Sequence, residues 1–133
     1  MKVLDDAAPV RCLLLSADRD VLVRITCELG VSPHGQETHR AVRSLEAVVG
    51  EATSESLDAA RSALQQARVF HAHRSTLDYW YESMPMLGDE FGVTVESLVS
   101  EHAATAALLQ QAITIVDGYL AGASPSVFHR AGV

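Results

Sequence analysis

The densest polar cluster in the chain runs Arg68-Val69-Phe70-His71-Ala72-His73-Arg74, followed by Asp78, Tyr79, Trp80, Tyr81 and Glu82. On a helix, residues three and four apart share a face. His71, Arg74 and Asp78 then form one column, with Arg74 and Asp78 spaced to pair. His73 falls on the opposite side, near Phe70, Leu77 and Trp80. A further imidazole, His102, sits on the apolar seam of the last helical segment and must find a partner if it is buried. An antiparallel pairing of the last two long segments brings His102 toward the cluster. His71, Arg74, Asp78, Trp80, Tyr81 and His102 are therefore the candidate ligand-binding residues. The same residues serve equally as a hydrogen-bonded polar layer that sets helix register.

Other chemistries find little support. Ligands on one helical face need spacings of three or four. The chain contains no ExxH, HxxxH, HExxH or CxxC. Asp78 and Glu82 are spaced as a carboxylate pair, a pattern that more often marks a solvated face. Neither a metal nor a cofactor is predicted. No Ser/His/Asp or Cys/His signature and no glycine-rich phosphate loop occurs. No catalytic residue is assigned from the residues alone.

Two resemblances name alternatives. Arg68 and His73, in the pattern Arg-x4-His, resemble the signature of HEPN-type ribonucleases, small all-α proteins that dimerise around a composite site. That resemblance implies that Arg68 holds the scissile phosphate and His73 moves the proton of the 2′-hydroxyl. The stretch Glu28-Leu29-Gly30-Val31-Ser32-Pro33-His34 resembles the turn of bacterial helix-turn-helix regulators. It implies a DNA-binding regulator in which His39, Arg40 and Arg43 face phosphates.

Four helical segments must position these side chains. The first is predicted over 9–29, with Pro9 at its first position and Gly30 just past its end. Val10, Leu13, Leu14, Ala17, Val21 and Ile25 form its apolar face. Alternatively, residues 10–15 make a short buried strand and the helix restarts at Asp18. The second covers 36–49, with Ala41, Val42, Leu45, Val48 and Val49 inward. The third covers 54–83, capped by Ser54 and stopped by Pro85. Its stripe is Leu57, Ala60, Leu64, Ala67, Phe70, Leu77, Tyr81 and Met84. A loop over 84–93 precedes the fourth, predicted from the cap Thr94 to residue 120. Val99, His102, Ala106, Leu109, Ile113, Val116 and Leu120 give it an a/d seam. The expected fold is all-α, a four-helix or near-four-helix bundle of two shorter and two longer helices. It forms one domain over 1–121, with a weakly ordered tail over 122–133.

Charge is unevenly spread. The chain of 133 residues carries a formal charge of −7, and residues 75–129 hold seven acids with no Lys or Arg. Such a balance argues against non-specific nucleic-acid binding, which needs a basic face. Between Glu101 and Asp117 there is no charge, and Ala103, Ala104, Ala107, Leu108, Ala112 and Ile115 make the flanks of the last helix apolar. A surface helix normally carries a charged outer face. A homodimer interface is therefore expected there, through Val99, Ala106, Leu109, Ile113, Val116 and Leu120.

Cys12 and Cys27 on one continuous helix lie about 22 Å apart, which excludes a bond between them. Unpaired thiols fit a reducing cytoplasm. Asp5 and Asp6 stand where a signal peptide would be apolar, and no run long enough to span a membrane is present. The leading expectation is a non-catalytic regulatory or interaction module of the cytoplasm, acting as a homodimer or with a protein partner.

Overall fold

The structure, a computed structural model, describes residues 13–31, 35–83 and 95–122. Within them the chain is helical throughout its ordered elements, with no strand: α1 (Ser16–Val31), α2 (Gly35–Gly50), α3 (Ser54–His73), α4 (Leu77–Ser83) and α5 (Val95–Leu120). Helix α3 packs on both α5 and α2, and α1 packs on α2 and α5. The four longer helices thus enclose one core, and short α4 lies against α5. Pro9, Val10, Cys12, residues 32–34 of the predicted turn, the predicted loop over 84–93, Thr94 and the predicted tail beyond Gly122 lie outside the described residues. None of the described helices is long and apolar enough to cross a membrane.

The core is built as helical spacing dictates. Leu57, Ala60, Leu64 and Ala67 of α3 meet Leu109, Ala112, Ile113 and Val116 of α5, and Ala41, Leu45 and Val48 of α2 close the third side. Alternation of Leu with Ala along α3 lets its neighbours approach closely. Leu109, Ile113 and Val116, expected at a subunit seam, are instead buried within this single chain. Val99, Ala106 and Leu120 flank them, half-buried. The heptad seam is therefore satisfied by α3, and it is not the face a second copy would meet.

Helix α1 departs from expectation in both start and phase. It begins at Ser16; residues 13–15 are neither helix nor strand. Leu13 is 66% exposed and Ala17 is exposed, while Leu22, Ile25 and Leu29 turn inward. A side chain of the last helix fixes this. Buried Tyr119 accepts a hydrogen bond from the Leu15 backbone N–H at 2.9 Å and donates to Asp18 Oδ2 at 2.6 Å. Holding Asp18 against α5 rotates Leu22 and Leu29, the larger apolar residues, into the core and leaves Val21 half-buried. Cys27 is exposed and unpaired.

The predicted third helix is two helices. It is capped by Thr53, not Ser54: Thr53 Oγ1 accepts from Ser56 N–H at 2.9 Å, and Ser56 Oγ accepts from Thr53 N–H at 2.8 Å. This reciprocal cap satisfies two N–H groups that a helix start otherwise leaves bare. The break comes at residues 74–76. Ser75 turns both its N–H and its hydroxyl onto Ala72 O, and Thr76 Oγ1 donates to His73 O while accepting from Tyr79 N–H. Hydroxyl side chains compete here with the helical ladder and restart it as α4. Leu77 and Tyr81, expected to continue the stripe, are consequently 43% and 52% exposed.

These burials set a contrast in stability. Leu64→Ala is expected to cost about 2–5 kcal/mol, as other buried leucine truncations do. Leu77→Ala is expected to change stability by less than about 0.5 kcal/mol, as at ordinary surface positions. Urea unfolding midpoints of the two variants check this; equal losses would mean that α4 continues the α3 core.

Candidate functional site

The candidate site assembles where the last turn of α3, the first turn of α2, the N-terminal half of α5 and α4 converge. Its centre is a pair of imidazoles. His71 is fully buried and His102 nearly so, and their Nδ1 atoms are 2.8 Å apart. At that distance one Nδ1 carries the proton and donates, and the other accepts through its lone pair. His71 Nε2 is 2.7 Å from Thr38 Oγ1, also buried. A hydrogen-bonded chain thus runs Thr38–His71–His102 through three helices. The antiparallel approach expected of the last two long segments does bring His102 to His71.

Backbone geometry lets α2 reach this chain. Gly35 opens α2 with φ +84°, a left-handed conformation that side chains other than glycine rarely adopt. A Cβ there would lie 2.9 Å from Phe70 Cζ. Glycine therefore allows the first turn of α2 to press against Phe70, and Thr38 follows one turn later.

Aromatic rings box the pair. Phe70 stands edge-on to His71 at 4.9 Å and to His102 at 6.4 Å between ring centroids. The Trp80 ring lies 5.7 Å from that of His102, tilted by 33°. Trp80 is placed by its own indole N–H, which donates to Arg74 O at 2.8 Å. The bend at residues 74–76 therefore folds α4 back so that its tryptophan covers an imidazole of α5. A continuous third helix would have carried Trp80 away from it.

The remaining predicted residues divide. Arg74 belongs to the site's wall: its guanidinium carbon lies 3.7 Å from the Phe70 centroid and 4.9 Å from that of Tyr79, and it donates to Phe70 O at 3.0 Å. These are cation–π distances. The expected Arg74–Asp78 pair does not form, because the helix breaks between them; Asp78 is exposed. Tyr81 is exposed as well. His73 is exposed and meets the edge of Tyr79 at 5.0 Å, instead of Phe70, Leu77 and Trp80. Arg68 is half-buried, with Nε 3.3 Å from Gln65 Oε1. Five residues apart on α3, Arg68 and His73 point about 140° from one another, so they share no face within one chain. His39, Arg40 and Arg43 lie exposed on α2, opposite its buried Thr38, Ala41 and Leu45. Thr38 and Phe70 are the contributors that sequence reasoning missed. Thr38 was legible in principle: it falls one turn before Ala41 on the same apolar stripe.

Among the described residues, no group of three or more His, Cys, Asp or Glu is placed to hold a metal ion. One imidazole lone pair is taken by the facing ring, and His71 Nε2 is engaged by Thr38 Oγ1. The arrangement is a buried polar layer tying α2, α3 and α5 in one register. No protein-family model matches the chain, and neither a curated protein nor a solved structure does.

The layer has a measurable stability. Thr38→Val keeps the side-chain shape but removes the hydroxyl from His71 Nε2. The expected loss is about 1–3 kcal/mol, the cost of leaving a buried polar atom without that partner. Chemical denaturation monitored by far-UV circular dichroism reads it. An unchanged midpoint would mean that the Thr38 bond contributes nothing to the fold.

Proposed function

We propose that the chain is a non-catalytic helical interaction module of the cytoplasm, of a regulatory kind, pairing with a second copy of itself through the outer face of α5. The observation that carries this is the character of that face. Ala103, Ala104, Ala107, Gln110, Gln111 and Thr114 are exposed, with Leu108 and Ile115 half-buried beside them, and none carries a charge. A cleft of ≈ 420 Å³ lies along the same face, bounded by Ala104, Ala107, Leu108, Gln111 and Glu28 of α1. Exposed Val31 ends α1.

Charge selects the orientation. An antiparallel crossing centred on Ala107 sets Glu101 opposite the uncharged stretch before Asp117, and brings Glu96 level with Asp117, whose carboxylate is paired with Arg61. A parallel crossing stacks Glu96 and Glu101 on their own copies. The uncharged stretch, residues 102–116, is about 22 Å long by helical rise. At the width of one helix, about 10 Å, such a face offers a few hundred Å², short of the about 800 Å² per partner of a standard stable interface. The pairing is accordingly weak, in the micromolar range. The inward assignment of every buried polar group described above supports a binding role over a catalytic one.

Sedimentation equilibrium across a concentration series tests the reading. The wild-type chain is expected to move from monomer to dimer over about 1–100 μM, and Ala107→Glu to remain monomeric. Glutamate at an exposed helical position costs the fold little. A wild-type chain that stays monomeric at the highest concentration, or an Ala107→Glu variant that dimerises equally well, would overturn it.

A further inference from the structure

We propose that the Thr38–His71–His102 chain is a proton-operated latch, closed at neutral pH and opened by acidification. Opening would free α4 and the first turns of α5 from the end of α3.

The reasoning begins with counting protons. Two imidazoles have four ring nitrogens. The Nδ1–Nδ1 bond of 2.8 Å requires one of those nitrogens to be a bare lone pair. The closed pair therefore holds at most three protons, and two doubly protonated rings cannot keep this bond. A third proton on the closed pair would also place a net charge on two buried rings that pack against Phe70 and Trp80. Burying a charge in such surroundings is costly. Once opened to water, each imidazole takes its own proton near the ordinary histidine range, about pH 6.5.

The open form thus binds one to two protons more than the closed form. Stability of the closed form then falls as pH falls through that range, because the form binding more protons gains. Each unit of acidification below it shifts the opening equilibrium about 10- to 100-fold.

The surroundings bear on the sign. From α3, the Arg74 guanidinium lies over Phe70 one turn beyond His71 and disfavours added positive charge. From α2, the Glu37 carboxylate lies beside Gly35 at the far edge of the same Phe70 ring, an opposing influence. From α4 come Trp80 and Tyr79, packed edge to face. From α5, Glu101 precedes His102 on the exposed side of the helix. His73 of α3 is exposed and turned to Tyr79.

The location gives the latch its effect. His71 closes the lower end of α3, and His102 lies in the second turn of α5. The main α3–α5 core, from Leu57 to Ala67 and from Leu109 to Val116, lies away from both rings and is tied at its other end by Arg61 and Asp117, so it keeps its register when they separate. What comes apart is the covering of Phe70, Trp80 and Val95. Acidification would therefore bare an apolar aromatic surface on a chain that stays folded.

Trp80 is the sole tryptophan, and it sits on His102, so its fluorescence reports the latch directly. The experiment follows Trp80 emission from pH 8 to pH 4.5, with far-UV circular dichroism as the control for global folding. The expected result is a sigmoidal change centred near or below pH 6.5, complete before helicity is lost, with proton uptake between one and two. Imidazole 15N shifts at pH 8 should show one donor and one acceptor Nδ1, converting together at the fluorescence midpoint. His102→Gln keeps a hydrogen-bonding group but removes one titrating ring. It should lower the slope to one proton or fewer. The 15N measurement uses the wild-type chain alone and so stands if the variant fails to fold. Two outcomes would overturn the latch. In one, both rings titrate independently while Trp80 emission stays flat. In the other, neither ring gains a proton until helicity itself collapses.

Discussion

A hydrogen bond between two buried histidines is the constraint on which the rest of this arrangement depends. Nothing apolar can substitute for either ring without stranding the other. To make the bond, α3 and α5 must lie antiparallel at a register that sets residue 71 against residue 102. That register in turn decides which faces are core. With His71 opposite His102, Leu64 and Ala67 fall among Leu109, Ala112 and Ile113, and the a/d seam of α5 is filled from within the chain. Apolar matching alone tolerates slippage between two such helices, since one Leu/Ala layer resembles the next. The polar pair does not.

The third member, Thr38, extends the same discipline to α2. Its contact needs the close approach of α2 to Phe70, and that approach needs a residue without a Cβ at position 35. A local backbone property and a long-range polar contact are thus coupled. The opposite end of the bundle uses another device. Tyr119 gathers the start of α1 with one hydroxyl, and Arg61 of α3 pairs with Asp117 of α5 at 2.6 Å, half-exposed. Exposed ion pairs contribute little to stability, so the tyrosine is the stronger tie at that end.

Periodicity made the fold class, α2, α5 and the inward stripe of α3 legible in the sequence, because each follows from apolar spacing over several turns. Three features escaped it, for separate reasons. The break after His73 is set by Ser75 and Thr76, whose hydroxyls win over a helical ladder that spacing alone would extend through them. The phase of α1 is set by Tyr119, a residue more than a hundred positions away. The inward use of the α5 seam could not be told from an intermolecular one, since heptad spacing is the same whichever chain supplies the partner. For the candidate site, the convergence of His71, Arg74 and His102 was legible from type and spacing, whereas Trp80 joins them only because the helix breaks at residues 74–76. Asp78 and Tyr81 were carried along by the assumption of one continuous helix, and they left with it.

The tie at Tyr119 bears on the order in which this chain comes apart. The Leu15–Tyr119 bond closes a loop of 104 residues, whereas the His71–His102 bond closes one of 31. By chain statistics the longer closure costs about 1 kcal/mol more in entropy. It is also made by a helix that contacts α2 and α5 but not the α3 stripe as its main partner. Of the four long helices, α1 packs least against the rest and is the most easily released. Its amides define a subglobal opening distinct from global unfolding, with α2, α3 and α5 surviving as a three-helix remnant.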